Sequence, residues 1–398
     1  MATNADTQLA QAWDQFCENL KPAKDIIFRE STPATEKDRA AGLRYVARNI
    51  QMALDKEFEN ADPLHPQLTH IMDWRRKQGG DNPDGLYLTA PINGTDTYRL
   101  AGSRGSARYF AITVTESGNS PWGGKAIATI LDTTINLEAD GSFEVIVSPE
   151  PPATPTKNWM KSTPTTHRLY IRQFFYDWEA EVPMDVRVER LGEAAPAPDF
   201  STESVTNGLL NAAQWLQDIT VYWTKCLEMW KKRPLEFCSF NQMVNNTLDA
   251  TPGGEPLLCY WHMEADEALI IRVKIPPQVH FWNCEIGNWW FETMDYRYRL
   301  AGTNGHYARL EADDEAILVV SHDDPGVPNW LDASGYAAGY MCWRWIGTDI
   351  GPLPRIERVK RAELFQHLPP SIQRIGQAER QEQLAGRNRG ITRRFAGF

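Results

Sequence analysis

The tetrapeptide Leu137-Glu138-Ala139-Asp140 recurs 173 residues later as Leu310-Glu311-Ala312-Asp313. Its surroundings recur with it. The first copy leads into Val145-Ile146-Val147-Ser148, the second into Ala316-Ile317-Leu318-Val319-Val320-Ser321. An Asn-Trp pair follows each (Asn158-Trp159 and Asn329-Trp330), and then an arginine among aromatic residues (Arg172 and Arg344). Short apolar runs bounded by turn residues have the length and composition of strands. Ordered landmarks at a nearly constant offset therefore predict two copies of one β-rich unit. A continuous parallel sheet is not expected, because short βαβ alternation is missing. A second echo, Thr97 to Gly102 (TYRLAG) against Arg297 to Gly302 (RYRLAG), is offset by 200 residues. Either 27 residues are inserted into the first unit between this motif and the LEAD tetrapeptide, or the match arose separately.

Helical periodicity surrounds and separates the two units. Leu43, Val46, Ile50, Leu54 and Phe58 fall at steps of three and four and predict one apolar stripe, with Thr35 and Asp38 as a weak cap. Residues 79–85, GGDNPDG, are dense in turn formers. Val205, Leu209, Leu216, Ile219, Trp223, Cys226 and Trp230 predict a long helical section, either a layer on the sheets or a wall of a ligand cavity. From Arg355 onward ten Arg/Lys stand against four Asp/Glu in a chain of net charge −11. These charges sit at helical spacing beside Leu and Ile, so a solvated helix on an acidic body is expected instead of a phosphate footprint. Nucleic acid is accordingly not an expected partner. The reading is an α+β protein with two related antiparallel β-sandwich-like units. Its segments are a helical N-terminal part (1–80), a first β unit (81–200), a central helical part (201–255), a second β unit (256–354) and a basic helical tail (355–398).

The first residues carry neither a basic leader nor an apolar stretch, so no signal peptide is expected. No run approaches the roughly 18 apolar residues of a membrane span. Six cysteines without a CxxC pair predict reduced thiols in a cytoplasmic protein. Walker and Rossmann glycine loops are absent, which argues against the common nucleotide-binding modes. Of 15 Trp, seven lie between Trp261 and Trp345; such rings suit a deep core or a pocket wall.

Three segments carry a resemblance to a known family. Asp324 to Trp345 holds an Asp-Pro-Gly turn, Asn-Trp-Leu and Arg-Trp in order; Val279 to Gly302 and Asn82 to Phe110 accompany it. Together they resemble the DUF1214 domain proteins, relatives of the DUF1254/DUF1214 group, with the strongest likeness in the second unit. The resemblance implies β-sandwich units with helical additions, and it implies no particular reaction.

Several side chains are candidates for chemistry. Arg99, Arg172, Arg299 and Arg344 stand beside tyrosine or tryptophan. They suit either internal ion pairs and ring stacking or a fork for a ligand carboxylate. Asn329 and Trp330 suit a loop brace, or a pocket floor with an amide that orients a ligand carbonyl. His280 or His262 with Asp295 and Tyr298 would make an acid–base set if brought within hydrogen-bond reach. His262, Glu264 and His280 lack the framework of a cupin metal site, so neither metal nor organic cofactor is expected. The leading expectation is an enzyme acting on a small, largely apolar oxygenated metabolite by general acid–base chemistry, whether hydration/dehydration, isomerisation or hydrolysis. The alternatives are a non-catalytic protein binding a small hydrophobic or amphipathic molecule, or an oligomeric scaffold; a homo-oligomer is compatible with each. Convergence of the acid–base set on one cavity would favour the enzyme.

Overall fold

The computed structural model describes residues 3–118, 120–198, 200–243, 251–347 and 351–396. The N-terminal part is helical through Glu59, but Thr69–Met72, placed by the pattern in the helical segment 1–80, is a strand of the first β unit. Helix α1 (Asn4–Leu20) starts at a Thr3 capping box, and α2 (Glu36–Leu54) starts at Thr35, whose hydroxyl accepts from the Asp38 amide. The buried face of α2 differs from the expected stripe. Leu43 is 54% exposed, while Gly42, Tyr45, Val46, Asn49, Met52 and Ala53 turn inward. The reason lies at Gly42: a Cβ there would sit 2.4 Å from the Trp290 ring. Close approach of that indole selects a glycine and fixes the helix rotation, which apolar spacing alone does not encode.

The first β unit comprises β1 (Thr69–Met72), β2 (Gly85–Pro91), β3 (Thr97–Ser103), β4 (Tyr109–Glu116), β5 (Ala126–Leu131), β6 (Ser142–Ser148), β7 (Trp159–Lys161), β8 (Thr166–Phe174) and β9 (Asp185–Leu191). These form a five-stranded sheet, β1-β2-β8-β4-β5, facing a four-stranded sheet, β7-β6-β3-β9. The second unit comprises β10 (Cys238–Ser239), β11 (Gly254–His262), β12 (Glu267–Lys274), β13 (Phe281–Gly287), β14 (Gly302–Asn304), β15 (Glu315–Ser321), β16 (Trp330–Asp332), β17 (Ala338–Ile346) and β18 (Arg355–Lys360). Its sheets are β10-β11-β17-β13-β14 and β16-β15-β12-β18. The two orders are identical, strand for strand, including the parallel pairs β6–β7 and β15–β16. The chain is thus α+β, with two copies of one sandwich-like unit and added helices.

The topology also resolves the second echo. Arg99 lies within β3, whereas Arg299 lies in the turn before β14; the counterpart of β3 is β12. TYRLAG and RYRLAG are therefore not equivalent positions of the duplication. The tail departs from expectation as well. Residues 355–360 form β18, paired with β12 and completing the second unit, because Ile356 packs on the sandwich core and Val359, on the opposite face, packs with Leu364 and Leu368 on the outer side, while their charged neighbours face water.

One apolar core runs through both sandwich interiors, joining Leu100, Ile112 and Ile171 to Trp261, Ile271 and Trp343. A second core lies between the outer faces of the five-stranded sheets and the helical layer, where α3 (Thr202–Trp230) packs on α1 and α2. The predicted central helix is a single rod of 29 residues. Polar contacts fasten the units together. The Asp84 carboxylate accepts from Asn283 (2.7 Å), Asn304 (2.8 Å) and the Trp178 indole (2.7 Å). The basic C-terminal helix (Gln377–Arg394) packs on the body, and three of its five arginines point inward. Arg394 donates to the Pro83 carbonyl, Arg387 to that of Gly302, and Arg380 to Asp324 and the Val327 carbonyl.

Candidate functional site

Strand β8 alternates between two environments. Leu169 and Ile171 enter the sandwich core, so Arg168, Tyr170 and Arg172 face the other way. Strand β17 does the same with Met341 and Trp343 inward, and Tyr340, Cys342 and Arg344 outward. The two outer faces, together with Trp223 of α3, enclose a cavity of about 110 Å³. Arg172 and Arg344, the duplicated arginines, both line it. Its walls are otherwise mostly apolar or aromatic, including Tyr87, Trp122, Tyr170, Phe240 and Phe291. A space of this size holds several waters or one small organic molecule.

The two arginines have different neighbours. Arg344 lies opposite Asn283 in β13, and two residues on is Glu285. The Arg344 guanidinium binds the Glu285 carboxylate through both terminal nitrogens and donates to the Gly80 carbonyl at 2.8 Å. Arg172 lies opposite Ala111 in β4, the matching register, and two residues on is Thr113. The unit that would supply a carboxylate supplies a hydroxyl instead. Thr113 Oγ1 is buried and has no hydrogen-bond partner among the described residues. Orphaned buried hydroxyls are uncommon, and one facing a cavity marks a place for a ligand or water.

A buried polar chain runs from Arg344 away from the cavity. The Tyr340 hydroxyl lies 3.5 Å from Glu285 and 3.1 Å from the Thr293 hydroxyl. The Thr293 amide donates to Asp81 at 2.9 Å, and Lys77 stands 3.3 Å from the other Asp81 oxygen. Burial pushes the Glu285 carboxyl up to about 8 against the pull of Arg344. Burial likewise raises Asp81 to about 6 against Lys77. Neither Glu285 nor Asp81 was singled out by the sequence, although a lone carboxylate within the otherwise uncharged run FWNCEIG was the available signal.

The sequence profile of the DUF1214 family, a protein of unknown function, matches residues 88–176. A crystal structure of an uncharacterized protein from Burkholderia cenocepacia is 32% identical, with a TM-score of 0.84, across 89% of this chain and 99% of that one. The chain belongs to the DUF1214 family. A protein from Vibrio parahaemolyticus aligns over 86% of this chain and 100% of its own, at 13% identity and a TM-score of 0.46. No curated protein matches the chain. The DUF1214 match falls on the first unit, whereas Asp324 to Trp345 and Val279 to Gly302, expected to carry the strongest likeness, lie in the second unit outside the matched residues.

In this DUF1214 protein the proposed acid–base residues do not gather. His262 contacts Arg358 on the surface, and His280 bonds Asp132 and the Arg108 carbonyl between the units. Asp295 is held by Arg297, and Tyr298 is 61% exposed. Asp295, Tyr298 and Arg299 do share one surface cleft, without either histidine. Asp295 and Tyr298 stay together in one turn, where the Tyr298 amide donates to the Asp295 carbonyl at 3.0 Å, while the two histidines follow other strands away from it. Arg99 is also removed from the cavity: it forms surface ion pairs with Glu189 and Glu144.

Asn329 and Trp330 brace loops. The Asn329 amide donates to the Arg309 and Ile317 carbonyls and accepts from the Arg309 amide. Asn158 makes the same three bonds to Asn136 and Glu144. Trp330 bonds the Ser321 carbonyl and Trp159 the Ser148 hydroxyl. Identical brackets in both copies point to architecture. Among the described residues no group of three or more His, Cys, Asp or Glu is placed to hold a metal ion.

Proposed function

We propose that the cavity between the two units binds a small, largely apolar molecule bearing an anionic oxygen group, and that binding is the principal activity. The observation that carries this reading is the orphaned Thr113 hydroxyl beside Arg172, in the position where the other unit has Glu285. A carboxylate there would accept from both groups, while the aromatic walls would cover the apolar remainder. Six free thiols, all but two of them buried, fit a cytoplasmic setting. No described helix is long and apolar enough to cross a membrane.

The enzyme reading stands second, and its support has moved. Glu285 and Asp81, with carboxyls raised towards neutrality behind the cavity wall, replace the dispersed histidine set as acid–base groups. The experiment uses Trp122 and Trp223, which line the cavity, as fluorescent reporters. Small aromatic and aliphatic carboxylates are titrated against their amides. Saturable quenching by acids, at least tenfold weaker with amides and lost in Arg172→Met, is expected. Equal response to acid and amide, or no saturable response, overturns the proposal. Turnover of a bound acid that disappears in Glu285→Gln would move the protein to the enzyme class.

A further inference from the structure

On the far side of the Gly79–Gly80 wall from the cavity lies an open surface cleft of about 560 Å³. The wall itself is thin: the Gly80 amide donates to the Phe291 carbonyl at 2.9 Å, with Gln78 and Phe291 facing the cavity and Lys77 and Glu292 facing the cleft. Five cations line the cleft, Lys37, Arg44, Arg48, Lys77 and Arg299, against two carboxylates, Glu292 and Asp295. Two further carboxylates stand behind the lining, Asp81 against Lys77 and Asp332 against Arg299, which leaves the cleft with one positive charge in excess on a chain whose net charge is −11.

The sequence builds one bank of this cleft. Lys37, Arg44 and Arg48 repeat at helical spacing along α2, with Ala40 and Ala41 between them leaving room above the backbone. The inner cations are committed. Arg48 pairs with Glu292 at 2.6 Å, and Lys77 donates to the Thr293 and Met294 carbonyls beside Asp81. The outer ones are held more loosely. Lys37 reaches the Ser334 carbonyl and lies over the Tyr336 ring, and Arg299, half exposed, pairs with Asp332. Arg44 is exposed and makes no hydrogen bond or ion pair among the described residues. The Lys37 ammonium is held below its usual range by burial and by the charge of Arg299, against the opposing pull of Asp332 and Asp38. Like charges brought together from two banks, with a neutral space between them, are stabilised by an anion in that space.

We infer that this cleft is a second, separate binding site, for a phosphate or phosphate-monoester dianion, with Lys37, Arg44 and Arg299 as its ligating cations and Lys77 as a fixed charge at its floor. A tetrahedral dianion offers oxygens to donors arriving from several sides, which the two banks and the floor provide. The site is independent of what the interior cavity binds.

Calorimetric titration of the full chain with inorganic phosphate and with pyrophosphate, at ionic strength matched by sodium chloride, tests this. Saturable binding is expected. Arg44→Glu and Lys37→Glu each weaken it at least tenfold, while Lys161→Glu, an exposed position in β7, leaves it unchanged. Circular dichroism establishes that all three variants are folded. Absence of saturable binding in matched salt overturns the inference. Equal weakening by all three variants also overturns it, since that reports only the overall charge of the surface.

Discussion

Replacing Arg344 by Met would leave the Glu285 carboxylate enclosed without its partner, a change that typically costs about 3–5 kcal/mol. The expected outcome is a large fall in the chemical denaturation midpoint, partly restored when Glu285→Gln is added. Arg172→Met is expected to act on ligand affinity, since β4 places the Thr113 hydroxyl where β13 places Glu285. Histidines give a second prediction. Burial holds His70 and His167 at about 4, below their ordinary value near 6.5. The unfolded chain then binds more protons than the folded one between those values, so this stability is complete above pH 6.5 and lost as pH falls through 4. Thermal melting against pH should show that acid limb, shallower in His167→Gln. Gly42→Ala should destabilise by about 1–3 kcal/mol, through the Trp290 ring, as read from equilibrium denaturation. Individual roles were only partly legible in the sequence. The Asn-Trp braces and the duplicated arginines were visible as repeated landmarks. The Thr113 and Glu285 difference was not, because it emerges only when β4 and β13 are set in register against β8 and β17.

At the scale of elements, the repeated strands and the α3 rod follow from periodicity. The six residues opening the basic tail do not, since a charged edge strand and an exposed helix share the same composition. The C-terminal helix tests the distinction between surface and buried arginines. Arg394 enters a buried slot, donating to the Pro83 carbonyl at 2.7 Å and covering Phe175 and Trp178. Arg394→Met should lower stability by about 2 kcal/mol, because that carbonyl loses its donor. Arg389, in exposed pairs with Glu179 and Glu382, should be replaceable by Ala with no change in midpoint. Parallel denaturation curves of the two variants provide the comparison.

For the whole molecule, the shared core and the Asp84 junction predict that the two units unfold together. A single calorimetric transition is expected, with fluorescence and circular dichroism midpoints coinciding. Two separable transitions would show that the junction is weaker than its contacts suggest. The repeated architecture also bears on how a guest molecule sits. Two identical units around a two-fold axis would present the same chemistry at both ends of a shared chamber, and a guest could lie either way round. Here both copies belong to one chain and have been free to diverge. Glu285 binds one arginine, and Thr113 stands in the matching position beside the other. The two ends of the chamber therefore differ in chemistry, a carboxyl group at one and a hydroxyl at the other.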